Sequence, residues 1–201
     1  AQGYEDVKDL SLTAKFELVD EPGTYFLAWT TTPWTLPGNV ALAVGKDITY
    51  GVYAHEGVNV IAATARAEKL GLSAPSRTMK GSELVGKTYK PLFDFLPSLA
   101  SESEKEKFKN AYQVYAADFV TTEDGTGIVH TAVMYGADDF ELGSKVGLPK
   151  VHAVGSDGKF VAGAGMFSGM NVTDETTNIE VLKELQSKAQ IFSKESYTHT
   201  Y

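Results

Sequence analysis

The sequence predicts a β-rich α+β fold, built as a barrel or sandwich and not as an alternating α/β sheet. Short β-branched and aromatic runs recur along the 201 residues, while helical periodicity is confined to a few segments. Hydrophobic residues make up 43% of the chain, enough to bury one sizeable core in a single β-rich domain. No internal repeat is present.

Strands are expected at 12–18, 24–31, 40–44, 49–54, 58–63, 112–117, 127–132, 151–154 and 192–197. The run Thr24 to Trp29 (TYFLAW) has the composition of a buried strand and delivers three threonines to its end. There TTTPWTLPGN, Thr30 to Asn39, begins. Pro33 and Pro37 fix φ near about −65° and remove two backbone donors, so neither a continuing helix nor a central strand is expected. Gly38 permits a turn that a side chain would obstruct. The expected result is a rigid ledge carrying Thr30, Thr31, Thr32, Trp34, Thr35 and Asn39. A threonine run is also what a solvated strand edge contains, and both readings stand at this level.

A short helix is plausible over 65–71, and SESEKEKFKN, Ser101 to Asn110, reads as a solvated helix face or surface loop. Ile128 to Ala132 reads as a short strand after the glycine-flanked turn Gly125-Thr126-Gly127. A helix over 137–146 follows from Phe140, Leu142 and Val146, stopped by Gly147 and Pro149. Asp138 and Asp139 fall in its first turn, where carboxylates complement the helix dipole, so capping alone would account for them. His130 could equally be a hydrogen-bonded core histidine. The longest helix is expected over 174–188, with Ile179, Leu182 and Leu185 on one face and Glu184 four residues before Lys188.

Two motifs mislead. GSELVGKT, Gly81 to Thr88, matches the phosphate-loop pattern, but SAPSRTMK precedes it and Pro91 forbids the helix such a loop must open. Asp124-Gly125-Thr126-Gly127 superficially suggests an aspartic protease, yet its threonine is displaced and no second copy exists. A metal site from His130, Asp138, Asp139 and His152 is disfavoured, because helical spacing does not converge those ligands.

TTTPWTLPGN together with GTGIVH and, after a short loop, GADDF resembles the editing domain (CP1) inserted into class I isoleucyl-tRNA synthetases. Valyl and leucyl relatives carry Arg where this chain has Pro33. The ending SYTHTY, Ser196 to Tyr201, resembles the strand by which such insertions return to the synthetase body, and the similarity runs from about Tyr4 to Tyr201. The family usually has Ala-Pro after the histidine strand where this chain has Ala132-Val133, but the spacing from His130 to Asp139 is kept.

The resemblance implies a closed β-barrel core with peripheral short helices. It implies a single editing domain over 1–201, with 1–9 and 196–201 as connecting segments to the synthetase body. It further implies hydrolysis of mischarged valyl-tRNA(Ile), with isoleucyl-tRNA(Ile) rejected by pocket size. Thr31, Thr32 and Asp139 are the catalytic candidates: the hydroxyls would orient water, and Asp139 would pair with the α-ammonium. Thr30, Trp34, Thr35, Asn39, His130 and Asp138 are the substrate-binding candidates. Of these, His130 would close the pocket against the extra methylene, Asn39 would hold the threonine loop or the terminal adenosine, and Asp138 is treated as a helix cap.

The remaining features restrict partners. Eighteen Lys and Arg against 26 Asp and Glu leave a net charge of −8, the wrong sign for holding a polyanion alone. The expected partners are the aminoacylated 3′ end of tRNA(Ile) and the remainder of the synthetase in cis, with weak tRNA binding in isolation. The HIGH and KMSKS signatures are absent, so this chain should not charge tRNA. No cofactor is expected here, ATP and Mg belonging to the synthetic domain. No targeting segment or apolar run of membrane-spanning length is visible, and the lack of cysteine fits a reducing cytoplasm.

Overall fold

The computed structural model describes the backbone of residues 6–200 and the side chains of 10–195. Residues 1–5 and Tyr201, parts of the two expected connecting segments, lie outside the described residues. Nine strands are described: β1 (Asp6–Glu17), β2 (Thr24–Thr30), β3 (Ala41–Val44), β4 (Thr49–His55), β5 (Val58–Ala63), β6 (Arg77–Lys80), β7 (Gln113–Ala116), β8 (Ile128–Thr131) and β9 (Ile191–Thr200). The α-helices are α1 (Leu96–Leu99), α2 (Glu102–Lys105), α3 (Ala137–Val146) and α4 (Glu175–Ser187).

The strands form two open sheets, in the orders β6-β4-β5-β2-β1-β9 and β7-β3-β8. This corrects the expectation of a closed barrel. The sheets meet at two seams that lack a continuous ladder. At one seam, residues 86–90 bond to both sides: Lys90 N–H donates to Glu17 O, and Val114 N–H donates to Lys87 O. Gly86, at φ +89°, and Pro91 bracket this segment and keep it too short and irregular to serve as a strand. At the other seam, Ala63 N–H donates to Thr126 O, and the buried Thr126 hydroxyl donates to Leu27 O.

Eight of the nine expected strands recur, seven within a few residues at each end and β1 reaching back further to Asp6. Residues 151–154 do not form a strand; only a single bridge joins Val154 to Phe160 around a turn with Gly158 at φ +76°. The unexpected strand, β6, is polar and mostly exposed, an edge paired to β4 by backbone alone. The helix expected at 65–71 is reduced to a 3₁₀ turn at Thr64–Arg66 followed by turns that end at Gly71, φ +73°. The acidic-basic run 101–110 is α2 followed by a 3₁₀ turn, Glu106–Asn110.

The main core lies between the sheets and α4, around Leu12, Phe16, Phe26, Leu36, Leu42 and Leu185, all at most 1% exposed. Burying side chains of this size contributes about 1.5–3 kcal/mol each. Antiparallel pairing of β1 with β9, from Asp6 with Thr200 to Leu12 with Lys194, brings the two ends of the chain together. Among the described residues, no helix is long and apolar enough to cross a membrane.

Candidate functional site

β2 ends at Thr30, and the following segment winds into a 3₁₀ helix, Pro33–Gly38, with proline in its first turn. The prolines thus prevent an α-helix but not this tighter winding. Its hydroxyls interlock: Thr32 N–H donates to Thr30 Oγ1 at 3.1 Å, Thr30 and Thr32 Oγ1 are 3.3 Å apart, and Thr35 Oγ1 donates to Thr32 O at 2.8 Å. Thr30 and Thr35 are buried, whereas Thr31 and Thr32 are exposed. The solvated-edge alternative therefore describes only half of the run.

Trp34 is half-buried. Its backbone N–H donates to Asn178 Oδ1 on α4 at 3.0 Å, and its ring meets Tyr135 edge to face with centroids 5.0 Å apart. Gly38 lies under the same tyrosine: a Cβ there would stand 2.7 Å from Tyr135 Cε2.

His130 lies on β8 opposite Leu42 of β3 and is 8% exposed. Both ring nitrogens are engaged: Nε2 lies 3.0 Å from Thr35 Oγ1 and Nδ1 lies 2.8 Å from Asn39 Nδ2. Asn39, also buried, donates to Ala41 O at 3.0 Å and accepts from the Tyr89 phenol. Burial lowers the His130 pKa to about 4, so the ring is neutral at physiological pH.

Asp139 sits in the first turn of α3, but its carboxylate reaches back: Ala132 N–H, two residues past His130, donates to Oδ2 at 2.9 Å. Among the described residues, Oδ1 accepts no hydrogen bond. Burial raises the pKa of this carboxyl, the Ala132 bond lowers it, and the neighbouring Asp138 raises it again. Burial here disfavours the charged carboxylate, and a cation placed against it would favour that form. Asp138 is exposed and faces a groove shared with Asp118, Glu141 and Lys145. It makes no capping bond; the N-cap of α3 is Gly136.

The fold therefore joins Thr30, Thr32, Thr35, Asn39 and His130 in one bonded cluster, with Asp139 fixed to the end of the same strand. Thr31 makes no hydrogen bond among the described residues, and Asp138 points elsewhere. Tyr89, Tyr135 and Asn178 join the site from distant parts of the chain, and no local pattern around them announces it.

Among the described residues, no cluster of three or more His, Cys, Asp or Glu could hold a metal ion. GSELVGKT follows the exposed edge strand β6 and opens a 3₁₀ turn at Gly81–Glu83; Thr88 only bridges to Gln113, with no helix after it. Thr126 of the Asp-Gly-Thr-Gly sequence is 1% exposed and locks the second seam.

No family model matches the sequence. Individual proteins do. The chain is 41% identical over 204 residues to isoleucine–tRNA ligase of Clostridium novyi, covering 100% of this chain and 18% of that protein. It is 39% identical to the isoleucine–tRNA ligase of Symbiobacterium thermophilum (98% and 21% covered) and 38% identical to that of Thermoplasma acidophilum (100% and 19%). A solved structure described as the crystal structure of GlLeuRS-CP1 superposes with a TM-score of 0.66 at 16% identity, covering 94% of this chain and 99% of that one, a likeness of fold. The chain spans about a fifth of the length of the curated relatives it matches. With its whole length aligned to these proteins, the chain belongs to the isoleucyl-tRNA synthetase family, and its fold is that of a CP1 domain.

Proposed function

We propose that this chain performs post-transfer editing, hydrolysing the ester of valyl-tRNA(Ile) and sparing isoleucyl-tRNA(Ile). The observation that carries this reading is the cluster itself: a hydroxyl shelf bonded to a neutral His130, with an Asp139 carboxylate tied to Ala132, two residues past that histidine, and one of its oxygens unengaged.

The chemistry needs little more. One methylene is worth only about 150-fold in a binding pocket, isoleucyl-tRNA synthetase being itself the standard example, so a second sieve is required. The α-ammonium of the valyl group pairs with Asp139, which offsets the cost of burying that carboxylate. Trp34 and the threonines wall the side chain, and His130 excludes the extra carbon by position. An aminoacyl ester is already activated, so a water oriented by Thr31 and Thr32 suffices, with oxyanion stabilisation by nearby donors. His130 does not serve as general base in this scheme, because both nitrogens already have protein partners. Asn39 holds the shelf through His130.

Residues 1–201 act as one editing domain inserted in a larger synthetase, and the pairing of β1 with β9 supports this by placing both ends side by side. Its partners are then the charged 3′ end of tRNA(Ile) and the rest of the enzyme, in the cytoplasm. A binding-only reading is favoured by the charge of −8 and by the fraction of the relatives that the chain spans. The two readings part when valyl-tRNA(Ile) and isoleucyl-tRNA(Ile) are added at high domain concentration. Release of valine alone supports editing; binding of a valyl-adenosine analogue without release from either ester supports binding only.

A further inference from the structure

Trp34 is held at two points by two different elements. Its backbone N–H donates to Asn178 Oδ1 on α4, within the 3₁₀ helix that fixes the main chain. Its half-buried indole packs against the main core and meets Tyr135 edge to face, with centroids 5.0 Å apart and planes at 65°. The main chain is thus fastened from α4, and the ring is met from the loop between β8 and α3.

That loop is itself closed by hydrogen bonds. Tyr135 N–H donates to Ala132 O at 3.0 Å, Ala132 N–H donates to Asp139 Oδ2, and Phe140 N–H donates to Gly136 O, so the loop and the first turn of α3 form one bonded unit. From this unit the Tyr135 ring reaches the shelf, lying against Trp34 and against the backbone of Gly38, whose missing Cβ leaves the room it fills. The phenol oxygen is buried; the Ala153 N–H lies toward it, but no hydrogen bond of normal geometry forms among the described residues. The ring, and not the hydroxyl, makes the contact with the shelf.

We infer that Tyr135 is a specificity-determining residue: its ring is a strut that holds the Trp34 indole in place and so fixes the width of the pocket which that indole walls. The inference deepens the editing reading and rests on it for the substrate. An edge-to-face pair at this separation biases the balance between two ring positions by roughly two- to tenfold. Truncating Tyr135 removes that bias and leaves a space beside the indole into which it can turn. The widened pocket then admits a side chain larger by one carbon. The shelf hydroxyl bonds and the Ala132 bond to Asp139 do not use the Tyr135 side chain and stay as they are.

Deacylation of valyl-tRNA(Ile) and isoleucyl-tRNA(Ile) by wild type, Tyr135→Ala, Tyr135→Leu and Tyr135→Phe tests this, with kcat and KM measured for each ester. Tyr135→Ala is expected to raise kcat/KM for the isoleucyl ester about fivefold relative to the valyl ester, with kcat for the valyl ester within about twofold of wild type. Tyr135→Phe keeps the ring and is expected to discriminate as wild type does. A packing role alone would lower both esters in proportion, so a ratio within about twofold of wild type in Tyr135→Ala overturns the inference, as does lost discrimination in Tyr135→Phe. If Tyr135→Ala does not fold by circular dichroism, Tyr135→Leu is read by the same criteria. Indole emission in a Trp29→Phe background, where Trp34 is the one remaining tryptophan, reads the strut without any ester. It is expected to change in Tyr135→Ala and not in Tyr135→Phe; no change in either overturns the strut. Absence of valine release from wild type, with the emission change present, counts against the editing reading alone.

Discussion

Thr30 to Asn39 and Gly81 to Thr88 look alike as sequence: each combines glycine and threonine in a tight turn after a strand, and the second matches a well-known motif letter for letter. In three dimensions they differ in what lies beyond the turn. The first is tied by side chains to β8 and to the 86–90 seam, partners 50 to 95 residues away, and its outer hydroxyls remain exposed. The second rests through backbone on the turn between β3 and β4: Gly81 N–H donates to Ile48 O and Ser82 N–H donates to Lys46 O. A turn becomes a site when its polar groups are held by other elements. Without its following helix the motif spends the N–H groups of Gly81, Ser82, Leu84, Gly86 and Lys87 on backbone carbonyls and does not gather them into a phosphate cradle.

The largest effect should come from the anchor beside the first loop. Asp139→Ala is expected to lower deacylation by about a hundredfold, the worth of a charge-assisted contact to the substrate ammonium, while folding suffers only the loss of the Ala132 bond. Unchanged valine release in a single-turnover assay would remove Asp139 from the site.

The glycines sharpen the contrast. A Cβ on Gly81 would stand 1.9 Å from Gly45 O, which is backbone and cannot yield, so Gly81→Ala should cost roughly 2–4 kcal/mol in a denaturant melt. At Gly38 the clash is with a tyrosine ring, so Gly38→Ala should cost roughly 1–2 kcal/mol yet displace the shelf and slow deacylation. If activity survives Gly38→Ala intact, the shelf is not held by this contact.

His130 supplies a pH test with a definite sign. Its folded pKa of about 4 lies below the ordinary 6.5, so between those values the unfolded chain takes up a proton that the folded chain refuses. Its contribution is present above pH 6.5 and is lost toward pH 4, roughly 3 kcal/mol at the lower end. His130→Ala should flatten that part of the stability profile and admit isoleucyl ester; an unchanged profile would mean that the ring is not the group responsible.

The smallest effect is expected at the second loop. Lys87→Ala should leave deacylation within about twofold and melting within about 0.5 kcal/mol, as for a surface substitution, and calorimetry with ATP should show no heat of binding to either chain.

Much of this was legible in residue order, and for physical reasons. Strand runs such as 24–30 and the helix at 137–146 carry their own periodicity and stop signals, so local chemistry places them. The threonine shelf and the His130 to Asp139 spacing were legible for the same reason: each lies within one contiguous stretch. The polar edge β6 was not, since an edge strand needs no apolar alternation when pairing comes from its neighbour's backbone. Nor was barrel closure, which depends on whether a seam ladder is continuous; Gly86 and Pro91 show their effect only once β1 and β7 flank them.

Alone, then, the sequence determined the family, most strands, both major helices and the candidate residues, because these depend on short-range pattern and on identity along the whole chain. Tertiary structure decided that Asp139 reaches out of its helix while Asp138 does not, that both nitrogens of His130 are engaged, and that Tyr89 belongs with them. Those are matters of direction and burial. A hydrogen bond between residues many tens of positions apart leaves no trace in their order, and the desolvation that shifts a pKa exists only after the surrounding elements have packed.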